Sequence, residues 1–199
     1  QEANALHILG AIRLRQNDPE NAIKFLTRAR AGDPANGEIL TNLGAAHRAA
    51  GRPDQAVEVL YEAISLASEN PSAYFNLANA YVDVGNNDMA LQTYRQVIEL
   101  VPNHISAHGT VAQILRDAGD TDGALHEFEI LDTLAPDTPE TLNAIAVLHA
   151  GSGRLETAEG FLRRAVAFHR TTMNLRRILQ ISWPEPFGRT KPLPFIRAP

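Results

Sequence analysis

Between Pro71 and His104 two short apolar stripes alternate with breaks. Tyr74, Leu77, Ala78 and Tyr81 recur at spacings of three and four; Gly85 and two asparagines interrupt; Ala90, Tyr94 and Val97 begin a second stripe before Pro102. This spacing predicts a helix, a tight turn and a second helix. Neither helix can bury its stripe alone, so the unit predicts copies of itself on both sides.

The copies are present without a slip. Small residues recur at Gly10, Gly44, Ala78, Ala112 and Ala146, each 34 after the last. Alanines on the second stripe keep the same interval at Ala22, Ala56, Ala90, Ala124 and Ala158. Large apolar residues follow four later at Leu26, Leu60, Tyr94, Phe128 and Leu162. A small residue on one helix lets its neighbour approach closely while the large residue opposite fills the remaining volume. A closing proline stands at Pro34, Pro102 and Pro136 and is replaced by Ser68 and Arg170. The segments QNDPEN, AGRPDQ, VGNNDM, AGDTDG and GSGRLE separate the paired stripes with residues that end one helix and start another. Helices are predicted at 3–16, 19–31, 37–50, 53–66, 71–84, 87–100, 105–118, 121–134, 139–152 and 155–169.

This pattern resembles a tetratricopeptide repeat array of five units, at 3–36, 37–70, 71–104, 105–138 and 139–172. The family's tryptophan place is taken by Leu6, Leu40, Tyr74, His108 and Leu142; its aromatic place holds Tyr81 but also Arg13, His47, Leu115 and His149. The resemblance implies an all-α fold, a right-handed superhelix whose first helices line a concave groove. Beyond the fifth unit, residues 171–182 predict a further helix, started by Thr171 or Thr172, that caps the open end. Residues 183–199 carry five prolines and cannot continue it. The stretch reads first as an extended polyproline-like tail or linker toward a further domain, while five large apolar residues in it, Trp183, Phe187, Leu193, Phe195 and Ile196, support the alternative that it docks.

Composition narrows the function. A net charge of −5 argues against a general nucleic-acid binder, which needs a basic surface. No apolar run is long enough to span a bilayer, so no membrane insertion is expected and a cytoplasmic location is the working expectation. The chain begins at Gln1 and reads as a processed or excised piece. Cysteine is absent, which removes disulfides and thiolate metal sites from consideration. No HExxH, phosphate-binding glycine loop or GxSxG is present, so no enzyme activity, cofactor or metal is expected. His104 and His108 are four apart, but His104 should precede its helix.

The expected site is therefore the groove. By the resemblance, its lining includes Asn42, Arg48, Phe75, Asn76, Asn79, Thr110, Gln113, Arg116 and Asn143. Asparagine offers both donor and acceptor to a peptide main chain, and Asn42 and Asn76 stand one repeat apart with Asn79 a turn further on. They resemble the asparagine ladder of tetratricopeptide arrays attached to glycosyltransferases, interrupted by Ile8, Thr110 and Ala144. Phe75 is expected to be an aromatic that buries nothing in the empty stack. Binding of a terminal carboxylate is disfavoured, because the family's cationic clamp places hold His7, Ala11, Ser72 and other uncharged residues. Residues 105–138 carry one arginine against seven carboxylates, a net −6, whereas 173–199 carry a net +4, which invites the tail onto the array or a second molecule. Two functions follow: an interaction scaffold for a protein or peptide partner, or the substrate-docking or dimerisation module of a larger enzyme such as a glycosyl- or sulfotransferase. A homo-oligomer through a terminal repeat or the tail fits either.

Overall fold

The computed structural model describes the backbone of residues 1–179 and the side chains of residues 1–168. Ten helices make up the described residues: α1 (Glu2–Arg15), α2 (Pro19–Gly32), α3 (Gly37–Ala49), α4 (Pro53–Leu66), α5 (Pro71–Asp83), α6 (Asn87–Leu100), α7 (Ile105–Asp117), α8 (Thr121–Leu134), α9 (Pro139–Gly151) and α10 (Leu155–Leu179). The boundaries of the first nine fall within one residue of the sequence expectation. Their ends are chemically marked. Asp18, Asn36, Asn70, Asn86 and Asp120 accept hydrogen bonds from backbone N–H groups at the starts of α2, α3, α5, α6 and α8, satisfying donors that would otherwise be orphaned. Proline opens α2, α4, α5 and α9, where its missing N–H costs nothing.

The turn inside each pair depends on one backbone conformation. Gly51, Gly85, Gly119 and Gly153 take φ between 71° and 83°, and Asn17 takes 56° at the same place in the first pair. Glycine adopts this left-handed region without a Cβ penalty, and asparagine is among the few other residues that tolerate it.

The pairs α1·α2, α3·α4, α5·α6, α7·α8 and α9·α10 pack internally, and each second helix then packs on the first helix of the next pair. The small-against-large pairing is direct: a Cβ placed on Gly10 would lie 2.5 Å from Leu26 Cγ. Leu26, Leu60, Tyr94 and Phe128 are buried. Leu162, the fifth member of that series, is instead exposed, because no following helix covers it among the described residues. In the first three repeats the first helices also touch one another, α1 with α3 and α3 with α5. Among the described residues the backbones of α2 and α4, and of α4 and α6, do not approach comparably, and α2 meets α4 through the Arg30–Glu62 ion pair at 2.6 Å. In these three repeats the first helices thus form the tighter, inner layer of a solenoid, and α7 and α9 are the equivalent helices of the fourth and fifth.

One expectation changes. Instead of a helix ending near 169 and a separate cap over 171–182, α10 continues unbroken to Leu179. Arg170 stands where three other repeats have their closing proline, and no glycine or proline follows before Leu179, so nothing there stops the helix. Residues 180–182 and the tail at 183–199 lie outside the described residues.

Histidines replace the family's aromatic side chain in two repeats and pack accordingly. His149 is buried and stacks on Phe161 at 5.6 Å, while His47 is half-buried. Burial, reinforced by the Arg52 guanidinium, holds His47 below its ordinary value of 6.5. The unfolded chain therefore takes up this proton first as pH falls through 6.5, so the contribution is intact above that value and declines below it. A His47→Phe variant should show a shallower loss of Tm from about pH 7 to about pH 5 than the parent. Parallel slopes would contradict this assignment.

Candidate functional site

The inner layer is built by α1, α3, α5, α7 and α9, and the sequence-expected residues lie on it with differing availability. Asn42 on α3 is half-buried and its Nδ2 sits 2.7 Å from Nε2 of His7 on α1. Asn76 on α5 donates from Nδ2 to the carbonyl of Ser72 at 3.0 Å. Asn79 accepts at Oδ1 from the Tyr94 hydroxyl at 2.7 Å. Each amide therefore has one end fixed by the array. The other ends, Oδ1 of Asn42 and Asn76 and Nδ2 of Asn79, have no protein partner among the described residues and are not buried. Fixed amides with a free acceptor or donor can meet the N–H and C=O groups of an extended chain without first losing side-chain freedom.

The remaining positions frame that row. Thr110 is half-buried and its hydroxyl donates to Ser106 O at 3.0 Å, while Gln113 and Asn143 are exposed. The two cations are matched by carboxylates: Arg48 lies 3.6 Å from Asp83, and Arg116 donates twice to Asp117, at 3.0 and 3.1 Å. Such exposed pairs leave the lining close to neutral in charge and contribute little to stability. Thr41, next to Asn42 on α3, is buried and donates to Gly37 O.

Phe75 corrects the sequence expectation. Rather than an idle groove aromatic, it is half-buried between Tyr94, edge-on at 5.9 Å, and His104, tilted at 4.7 Å. His104 is held there because it caps α7, its Nδ1 accepting from Ala107 N–H at 3.1 Å. Phe75 therefore joins the third repeat to the fourth and offers only part of its ring to a ligand.

Tyr94 is the residue that periodicity does not single out. It reads as a core residue, and its ring is fully buried. Its hydroxyl nevertheless reaches from α6 to the underside of the groove, where it orients Asn79. Burial raises the Tyr94 hydroxyl above its ordinary value, opposed by its hydrogen bonding to Thr110 and by the charge of Arg48. A tyrosine where the other repeats carry leucine or phenylalanine was the available signal. His7 and Asn42, and likewise Arg48 and Asp83, are 35 apart, one repeat plus one residue. Stagger between stacked first helices sets that offset, so a strict 34-residue alignment does not pair these side chains.

The acidic fourth repeat is partly neutralised by the fifth. Arg164 of α10 bridges Asp132 and Asp137, both at 2.9 Å, and His108 lies buried between Pro102 O at 2.9 Å and the Glu127 carboxylate at 2.6 Å. With both ring nitrogens engaged, His108 is a packing and hydrogen-bonding residue of that repeat. No group of three or more histidine, aspartate or glutamate side chains is placed to hold a metal among the described residues. Among them, too, no helix is long and apolar enough to cross a membrane.

Comparison with known proteins bears on this geometry. Sequence profiles described as tetratricopeptide repeat match residues 13–60, 47–114 and 110–171. No curated protein matches the sequence. Among solved structures, a crystal structure of MamA protein aligns with a TM-score of 0.77 at 19% identity, over 92% of this chain and 98% of that one. A second MamA crystal structure gives 0.76 at 21% identity, over 83% and 96%. Residues 41 to the end of MamA from Desulfovibrio magneticus RS-1 give 0.76 at 16%, over 86% and 97%. At these identities the likeness is one of fold.

Proposed function

Because the chain belongs to the tetratricopeptide repeat family, we propose that it is a non-catalytic scaffold that holds an extended segment of a protein partner along its inner layer. The observation that carries this reading is the row of anchored amides at Asn42, Asn76 and Asn79. Two present a free carbonyl oxygen and one a free N–H group, the complement of a peptide main chain. Neutral lining favours main-chain contact over recognition of a charged terminus. Third-repeat residues contribute most, since α5 supplies both Asn76 and Asn79 and is flanked by packed repeats on both sides.

The test is binding to an immobilised library of unstructured peptides, with helical peptides of matched composition as comparison. The parent should bind the unstructured set preferentially. The double variant Asn42→Ala/Asn76→Ala should bind at least about tenfold more weakly, as expected for losing two hydrogen-bonding groups of about 1 kcal/mol each. Equal binding by parent and variant would remove the amide row from the mechanism.

A further inference from the structure

The first and last described helices expose apolar side chains, most of whose equivalents are buried in the repeats between them. On α1, Leu9 is 40% exposed and Ile12 is 44% exposed. Their counterparts one to four repeats later, Leu43, Leu77, Val111 and Ile145 for Leu9 and Ala46, Ala80, Ile114 and Leu148 for Ile12, are all buried. Those counterparts share a core with the second helix of the preceding repeat: Leu43 and Ala46 with Leu26, and Ile145 and Leu148 with Phe128. On α10 the reciprocal face is exposed. Leu162 is 45% exposed where Leu26, Leu60, Tyr94 and Phe128 are at most 5%, and Val166 beside it is 56% exposed.

We propose that α1 of a second copy of this chain docks on α10 of the first, reproducing the junction that each second helix makes with the next first helix. The repeat itself supplies the complementarity, since the two faces are the two halves of one recurring contact. The interface is heterologous, so each copy that binds leaves a new free end, and assembly proceeds head to tail rather than stopping at a symmetric dimer. Glu159 makes this junction weaker than an interior one. It stands where Ile23, Val57, Leu91 and Leu125 stand in the earlier repeats, and its carboxylate is paired with Arg163 at 2.7 Å. Reversible, concentration-dependent association is therefore expected.

Sedimentation velocity of the full chain decides it. The parent should increase in mass with concentration. A head variant, Leu9→Glu/Ile12→Glu, and a tail variant, Leu162→Glu/Val166→Glu, should each associate at least about tenfold more weakly with themselves. Mixed together, they should form a one-to-one complex and grow no further, because each retains one intact face. All four positions are exposed, so circular dichroism should report unchanged helicity. A parent that stays monomeric at every concentration overturns the proposal, as does a head variant that self-associates like the parent. Assembly seen only after removal of residues 180–199 would also overturn it, assigning the α10 face to the chain's own C-terminal segment.

Discussion

Replacing Tyr94 with alanine should lower stability by about 3–5 kcal/mol, the range for removing a fully buried aromatic side chain. The ring has no exposed surface and lies at the centre of the cluster that joins the second, third and fourth repeats. Three things are lost together. A cavity opens between α5 and α6, Phe75 loses its edge-on partner, and Asn79 loses the hydroxyl that orients it. Because a solenoid is stabilised by contacts between neighbours, damage in the third repeat should also uncouple its two halves. Denaturant unfolding should then show a broadened or split transition rather than a simple shift. Tyr94→Phe separates the terms: it keeps the ring, removes the hydroxyl, and should cost about 0.5–1.5 kcal/mol. If alanine and phenylalanine variants unfold alike, the packing described for this ring is wrong.

Gly44→Ala is the second large effect, although it adds a single methyl group. A Cβ there would overlap Leu60 Cγ and lie 2.7 Å from one of its methyls, with Leu60 fully buried and unable to swing away. Overpacking of this kind costs about 1–3 kcal/mol. For a chain of this size, each kcal/mol corresponds to a fall in Tm of roughly 2–4 °C. The repeats themselves suggest the remedy. Where the large residue is buried, glycine faces leucine in the first two repeats and alanine faces Tyr94 or Phe128 in the next two; Ala146 faces a leucine only in the fifth, where Leu162 is exposed. Leucine branches at Cγ toward its neighbour, and a flat ring leaves room for one more methyl. Leu60→Phe in the Gly44→Ala background should therefore recover part of the lost stability, measured as a coupling energy in a double-mutant cycle. Additive losses would show that the pairing of glycine with leucine carries no steric meaning.

These two sites also mark how far a linear pattern reads. Gly44 and Leu60 sit within one repeat, and periodicity alone identified them as facing partners. The role of Phe75 could not be read in this way. Its neighbours are Tyr94 on the next helix and His104, the last residue of the repeat and the cap of α7, and the spacing of apolar residues does not say how far a half-buried ring will turn between them. The asparagines are intermediate. Their place on the inner layer follows from the repeat, while the partner that fixes each one follows from side-chain reach across the stagger between helices.

By itself the sequence determined the period, the five units, the boundaries of the first nine helices and the alternation of small and large side chains. These depend on local backbone preferences and on contacts that recur identically every 34 residues. Only the tertiary structure decided which end of each groove amide is free, that a buried tyrosine supports Asn79, that α10 runs on past Arg170, and that Leu9, Ile12 and Leu162 are exposed. Those properties depend on the offset between stacked helices and on what covers the first and last of them, and a repeating pattern is the same at its ends as in its middle.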